Sequence, residues 1–174
     1  SELPRGCRAA TASPDRLGIS LDLEGSTLAA GARSSIDTSD GAVFVFAREG
    51  GSWREQAKLS PQHVGVFGAS VSLDGDVLAV AEPASRPQVG LVHFYRREGT
   101  SWNERWSVID PAVNASDFAI AVAVDAERLV VAVWYSSVCV LNVAAGAGSP
   151  YRGEDLGYEV NTKVAPPVDT PIRV

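Results

Sequence analysis

The sequence predicts an all-β chain assembled from tandem units, and three observations carry that reading. The stretch from Leu17 to Gly31 returns at Phe67–Ala81 and again, worn down, at Phe118–Ala132. The copies lie about 50 residues apart, a period that marks repeat architectures. Inside each copy apolar and polar residues alternate with a period near two, the signature of a half-buried strand rather than a helix.

The first strand of a unit carries the clearest alternation. Ile19, Leu21 and Leu23 interleave with Ser20, Asp22 and Glu24, and Ala69, Val71 and Leu73 interleave with Ser70 and Ser72. Glu24-Gly25 or Asp74-Gly75 follows, a pair that tolerates positive φ and reads as a tight hairpin turn. The second apolar run is Thr27–Ala30 or Val77–Ala81. A polar loop, Arg33–Asp40 or Ala84–Gln88, leads to a third strand that opens on glycine, Gly41–Phe46 or Gly90–Tyr95. A second turn, Glu49–Ser52 or Glu98–Ser101, leads into a fourth strand beginning at Trp53 or Trp102. Four short antiparallel strands in about 50 residues make one blade of a β-propeller. One such sheet cannot bury both faces, so its neighbours must stack on it.

This divides the chain into an N-terminal segment 1–16, blade 1 at 17–66, blade 2 at 67–117, a degenerate blade 3 at 118–150, and 151–174 as a tail or the start of a further blade. In the third unit Val138–Leu141 forms the third strand, and Leu156–Val160 reads as a late outer strand or the opening of a fourth unit. The prolines at 166, 167 and 171 keep the tail out of a central strand, because proline donates no ladder hydrogen bond. Residues 5–10 align with the outer strand of blade 1 and read as an orphan outer strand whose parent sheet lies elsewhere.

Composition narrows the function. The 174 residues carry a formal charge of −6. Apart from Arg96-Arg97 there is no basic run, which argues against nucleic acid and anionic membrane as partners. The apolar stretches Phe118–Val124 and Leu129–Tyr135 fall short of the roughly 18 residues of a membrane span. The chain has no methionine, so it is expected to lack its natural start.

Phe67-Gly68-x-Ser70-Val71, Ala79–Pro83, Gly41–Phe46 and Trp53-x-x-Gln56-Ala-Lys-Leu59 together resemble FG-GAP repeats, the blades of integrin α-subunit propellers and of many bacterial surface proteins. The resemblance covers roughly Leu17 to Asn142. It is strong in the first two units and weaker in the third, where Phe118-Ala119 departs from Phe-Gly. It implies an extracellular, cell-surface or periplasmic propeller used for adhesion or for recognition of a protein or glycan, without catalysis. In integrin-type blades an acidic loop between the first two strands binds calcium. Here that loop is only Asp74-Gly75-Asp76, Glu24-Gly25-Ser26 or Asp125-Ala126-Glu127, too short to supply the six to eight oxygens calcium takes. No calcium site is carried over, and no other cofactor is expected.

Several residues stand out against this scaffold. Asp37 and Asp40 form the best remaining oxygen cluster, in the loop between the second and third strands. Trp106, Trp134 and Tyr135 break the repeat and are expected on a ligand or partner surface, whereas Trp53 and Trp102 recur and read as blade anchors. His93 falls on the third strand at the place of Phe44 and Cys139, a packing position. Cys7 and Cys139, on a presumed outer and a third strand, allow one disulfide if those strands are neighbours within or between chains. Asn114-Ala115-Ser116 matches the glycosylation sequon. No Gly-x-Ser-x-Gly elbow and no metal-ligand spacing is present. A polysaccharide hydrolase is the weaker alternative, with Asp22 and Glu24 or Asp74 and Asp76 as its carboxylates.

Three units fall below the four to eight blades that close a ring. The expectation is a partial ring completed by another chain or segment, as a homo-oligomer or part of a larger assembly. A structural subunit of that kind is the second reading of function.

Overall fold

A computed structural model of the chain describes residues 16–33, 41–60, 66–83, 90–108, 119–125, 128–133, 137–142 and 159–161. Among them are strands and turns and no helix. Sheet 1 contains β1 (Arg16–Glu24), β2 (Thr27–Arg33), β3 (Ala42–Glu49) and β4 (Ser52–Leu59). Sheet 2 contains β5 (Ser70–Asp74), β6 (Val77–Glu82), β7 (Leu91–Glu98) and β8 (Ser101–Val108). Sheet 3 contains β9 (Ala121–Val124), β10 (Arg128–Val133), β11 (Ser137–Asn142) and β12 (Glu159–Asn161). Each sheet is antiparallel with its strands in chain order, a blade-like unit, and the three do not close a ring.

The outer edge of the third sheet falls where one of the two readings of 156–160 puts a late outer strand. Glu159–Asn161, in the segment read as a tail or a new blade, pairs with β11 and completes the sheet. It takes the edge beside Cys139, which pairs with Val131 on one side and Val160 on the other. The outer strand beside Cys139 is therefore β12. Residues 5–10, with Cys7, lie outside the described residues, and so does the expected Cys7–Cys139 bridge.

The repeat extends to backbone detail. The Phe-Gly position has positive φ in all three units, at Gly18 (94°), Gly68 (84°) and Ala119 (64°). Glycine adopts this region freely, and an alanine there carries roughly 1–2 kcal/mol of strain. Ala119 is nevertheless fully buried. Just after it, Ile120 N donates to Ala132 O as Ala69 N donates to Ala81 O. In β4 and β8 a bulge falls at the same place, opposite Val45/Phe46 and Phe94/Tyr95.

Sheet 1 packs on sheet 2, and sheet 2 on sheet 3, with the inner strands β1, β5 and β9 side by side. The alternation of these strands makes the joint. Asp22 accepts a hydrogen bond from Leu73 N at 2.7 Å, and Glu24 accepts one from Gly75 N. One unit later Ser70 and Ser72 accept from Val122 N at 3.2 Å and Val124 N at 3.1 Å. The aliphatic residues of the same strands fill the cores. Val71, Leu73, Leu78 and Val80 meet Ala29, Val43 and Val45 between sheets 1 and 2. Ala79, Ala81, Val92 and Phe94 meet Val122, Leu129 and Val131 between sheets 2 and 3.

Two small residues permit the first joint. A Cβ at Gly31 would collide with Gly68 O and Ser20 Oγ, and one at Gly41 with Phe67 O. The glycine that opens the third strand is thus fixed by the approach of the next unit. Gly41→Ala is expected to lower stability by about 1–3 kcal/mol, as overpacking does. Gly75→Asn, at a turn with φ 58° and open space, is expected to cost under about 1 kcal/mol because Asn tolerates that conformation. Urea unfolding of the two variants checks the contrast.

Candidate functional site

The densest group of interacting titratable side chains lies on the face of sheet 2 turned toward sheet 1. Antiparallel pairing sets Val80 opposite His93 and Tyr95 opposite Glu104. Glu82 ends β6 two residues beyond Val80 and so shares its face. His93 Nε2 lies 2.7 Å from Glu82 Oε2, and His93 Nδ1 lies 2.9 Å from Glu104 Oε1. Tyr95 donates a longer hydrogen bond, 3.4 Å, to Glu104 Oε2. Phe67 seals the group edge-on, its ring centroid 5.2 Å from that of His93 and 6.4 Å from that of Tyr95. Glu82 and His93 are buried, while the Glu104 side chain is 37 % exposed and gives the cluster its contact with solvent.

A carboxylate faces each ring nitrogen, and both nitrogens donate only when the imidazole is protonated. Burial alone would lower the His93 pKa. The hydrogen bonds to Glu104 and Glu82, with the charge of both, outweigh it and raise the value to about 9. Burial, then the Glu104 charge, pushes the Tyr95 hydroxyl above its ordinary range. The arrangement holds a proton firmly between two carboxylates. It leaves neither nitrogen aimed at a cavity, so it suits a buried ionic clasp better than a base for an external substrate. Among the described residues no group of three or more His, Cys, Asp or Glu is disposed to hold a metal ion.

Sheet 1 carries apolar residues at most of the equivalent places. Ala32 stands for Glu82, Phe44 for His93 and Phe46 for Tyr95, with Glu55 for Glu104. Phe44 and Phe46 are buried, and the Lys58 ammonium lies 5.2 Å from the centre of the Phe44 ring.

Asp37 and Asp40 lie outside the described residues, in the connection from β2 to β3. Trp134 and Tyr135 also lie outside them, in the connection from β10 to β11. Trp106 is described and half-buried. It stacks on Phe94 with centroids 4.5 Å apart and an interplanar angle of 8°, and it packs on the core between sheets 2 and 3. Both contacts are packing contacts. Asp22 and Glu24 serve the joint to sheet 2. Asp76 binds Arg97 Nε at 2.7 Å, while Arg97 also donates to Thr27 Oγ1 of sheet 1 and lies over the Trp102 ring. Glu82 and Glu104 escaped the sequence reading. The available signal was a carboxylate on the strand to either side of His93.

His93→Phe is expected to destabilise by about 3–5 kcal/mol at pH 7, because Glu82 is left buried without its partner. Glu82→Ala with His93→Phe, which copies Ala32 and Phe44, is expected to return to within about 1 kcal/mol of the parent. The folded pKa of about 9 lies above the ordinary 6.5. Stability from the cluster is therefore fully present below pH 6.5 and is lost as pH rises through 9, by roughly 3 kcal/mol in all. Unfolding midpoints between pH 6 and 10 read this slope, which the double variant should lack. No family model matches the sequence, and no curated protein is similar to it.

Proposed function

We propose that the chain is a non-enzymatic recognition or adhesion module of the FG-GAP propeller kind, working outside the cytoplasm and binding a protein or glycan through the connections at one end of its sheets. The observation that carries the reading is the parallel alignment of the inner strands. Ser70 reaches Val122, Ser72 reaches Val124, and Asp22 reaches Leu73. Strands aligned in this way start and finish at the same ends of their sheets. The β2–β3 connection with Asp37 and Asp40 and the β10–β11 connection with Trp134 and Tyr135 consequently leave from the same end. Carboxylates and aromatic rings are the groups that hydrogen-bond and stack on sugars, and aromatics are also enriched among residues that dominate protein interfaces.

Two further facts favour binding over turnover. Three of the four carboxylates considered for hydrolysis, Asp22, Glu24 and Asp76, are engaged in the sheet joint and the β5–β6 turn. The imidazole at His93 is enclosed between two carboxylates. Among the described residues no helix is long and apolar enough to cross a membrane.

A glycan array and a pull-down from extracellular extracts with the 174-residue chain supply the test. Asp37→Ala with Asp40→Ala, and separately Trp134→Ala with Tyr135→Ala, are expected to weaken captured ligands at least tenfold without moving the thermal midpoint. Binding indifferent to both pairs, or turnover of model glycosides lost with Asp74→Asn, would overturn the reading.

A further inference from the structure

The joint between sheets 1 and 2 shows what the outer face of sheet 1 lacks. Counting by the repeat, Leu17, Leu21, Leu23 and Trp53 correspond to Phe67, Val71, Leu73 and Trp102. In sheet 2 these four are 0 %, 7 %, 7 % and 7 % exposed; in sheet 1 they are 36 %, 62 %, 61 % and 41 % exposed. What buries them in sheet 2 is sheet 1: Val71, Leu73 and Trp102 belong to the core between the two, and Trp102 Nε1 donates to Gln56 Oε1 at 2.9 Å. Phe44 and Phe46, farther out on the same face of sheet 1, are already buried. The open part is thus a strip along β1 with Trp53 beyond it. Five large apolar side chains counting Ile19 stand exposed there, more than scattered surface hydrophobes account for.

The far end of the stack offers the counterpart. Ala121 and Ala123 take the places of Ser70 and Ser72, and both are exposed. Along the inner strands every joint sets large aliphatic residues against small or oxygen-bearing ones: Val71 and Leu73 against Ser20 and Asp22, Val122 and Val124 against Ser70 and Ser72. The free faces continue this rule, with larger residues on one side and methyl groups on the other. We infer that two copies of this chain pair, the β1 strip of each lying on the alanine face of β9 in the other. The contact repeats the established joint and dispenses with its hydrogen bonds, because both surfaces are apolar. Two copies of three sheets give six, within the four to eight of closed rings. Twofold pairing uses the exposed faces of the first and third described sheets of both copies.

Sedimentation equilibrium of the 174-residue chain is expected to give twice its 18.3 kDa mass at micromolar concentration. Leu21→Asp with Leu23→Asp places charges on one face, and Ala123→Arg places one on the other. Each variant alone is expected to be monomeric, its dissociation constant raised at least 100-fold, with an unchanged circular dichroism spectrum. Mixed, the two are expected to form a one-to-one dimer, since one contact is intact and the other sets carboxylates against a guanidinium. A monomeric parent would overturn the inference, as would mass growing without limit. A dimer that ignores Ala123→Arg would also overturn it, because sheet 1 would then be meeting sheet 1.

Discussion

The fold depends on one repeated contact, in which side-chain oxygens on an inner strand accept hydrogen bonds from the backbone of the next inner strand. A strand's two faces are fixed by its period of two. Asp22 and Ser72 turn toward the following sheet, while Leu73 turns toward the preceding one and Leu23 outward. Each bond contributes on the order of 1 kcal/mol, more where the acceptor is a carboxylate. Their larger effect is on register. A slip of one residue would present Leu21 and Leu23 to the amides of β5 and leave the carboxylates facing outward. Hydrophobic burial holds the sheets together, and these acceptors decide where they stop.

The two joints are nevertheless built differently. Between sheets 2 and 3 the contact is aliphatic and aromatic, with Phe94 and Trp106 stacked face to face. Between sheets 1 and 2 the Glu82–His93–Glu104 cluster interrupts the apolar face. A buried ionic group contributes less to stability than an apolar replacement of the same shape often does, because desolvation offsets most of its attraction. It is tolerated here because every hydrogen-bonding site on the imidazole is used and Phe67 excludes water from one side. Among the described residues no buried side-chain nitrogen or oxygen lacks a partner.

Much of this was legible in the chain. Strand order, hairpin turns and the stacking of units follow from the alternation and from Glu-Gly and Asp-Gly at fixed offsets. The packing role of His93 followed from its alignment with Phe44. The cluster around it did not, because Glu82 and Glu104 each stand 11 residues from His93 and only the antiparallel register unites them. The repeat also suggested that Trp53 and Trp102 would be alike. They differ in exposure because burial belongs to the neighbour and not to the residue: Trp102 has sheet 1 against it. Trp106, which breaks the repeat, stacks its ring on Phe94. β12 overlaps 156–160, where the sequence leaves a late outer strand and a fourth unit both open, since three residues are too few to show a period.

The third unit looks degenerate by sequence, yet its losses are not random. It keeps what its contact with sheet 2 requires. Ala119 holds the positive φ of the Phe-Gly turn, Ile120 and Ala132 keep the backbone bond, and Val122 and Val124 keep their amides on Ser70 and Ser72. What has gone are the oxygen side chains on the other side of β9, where no described sheet stands. An inner-strand serine stabilises only through the amide it meets, so at the end of a stack it contributes nothing to the joint. Terminal units of repeat arrays commonly diverge on their outward face for this reason. The alanines at 121 and 123 therefore mark a change of neighbour, and the divergence of this unit is better understood as adaptation to its position than as decay of the repeat.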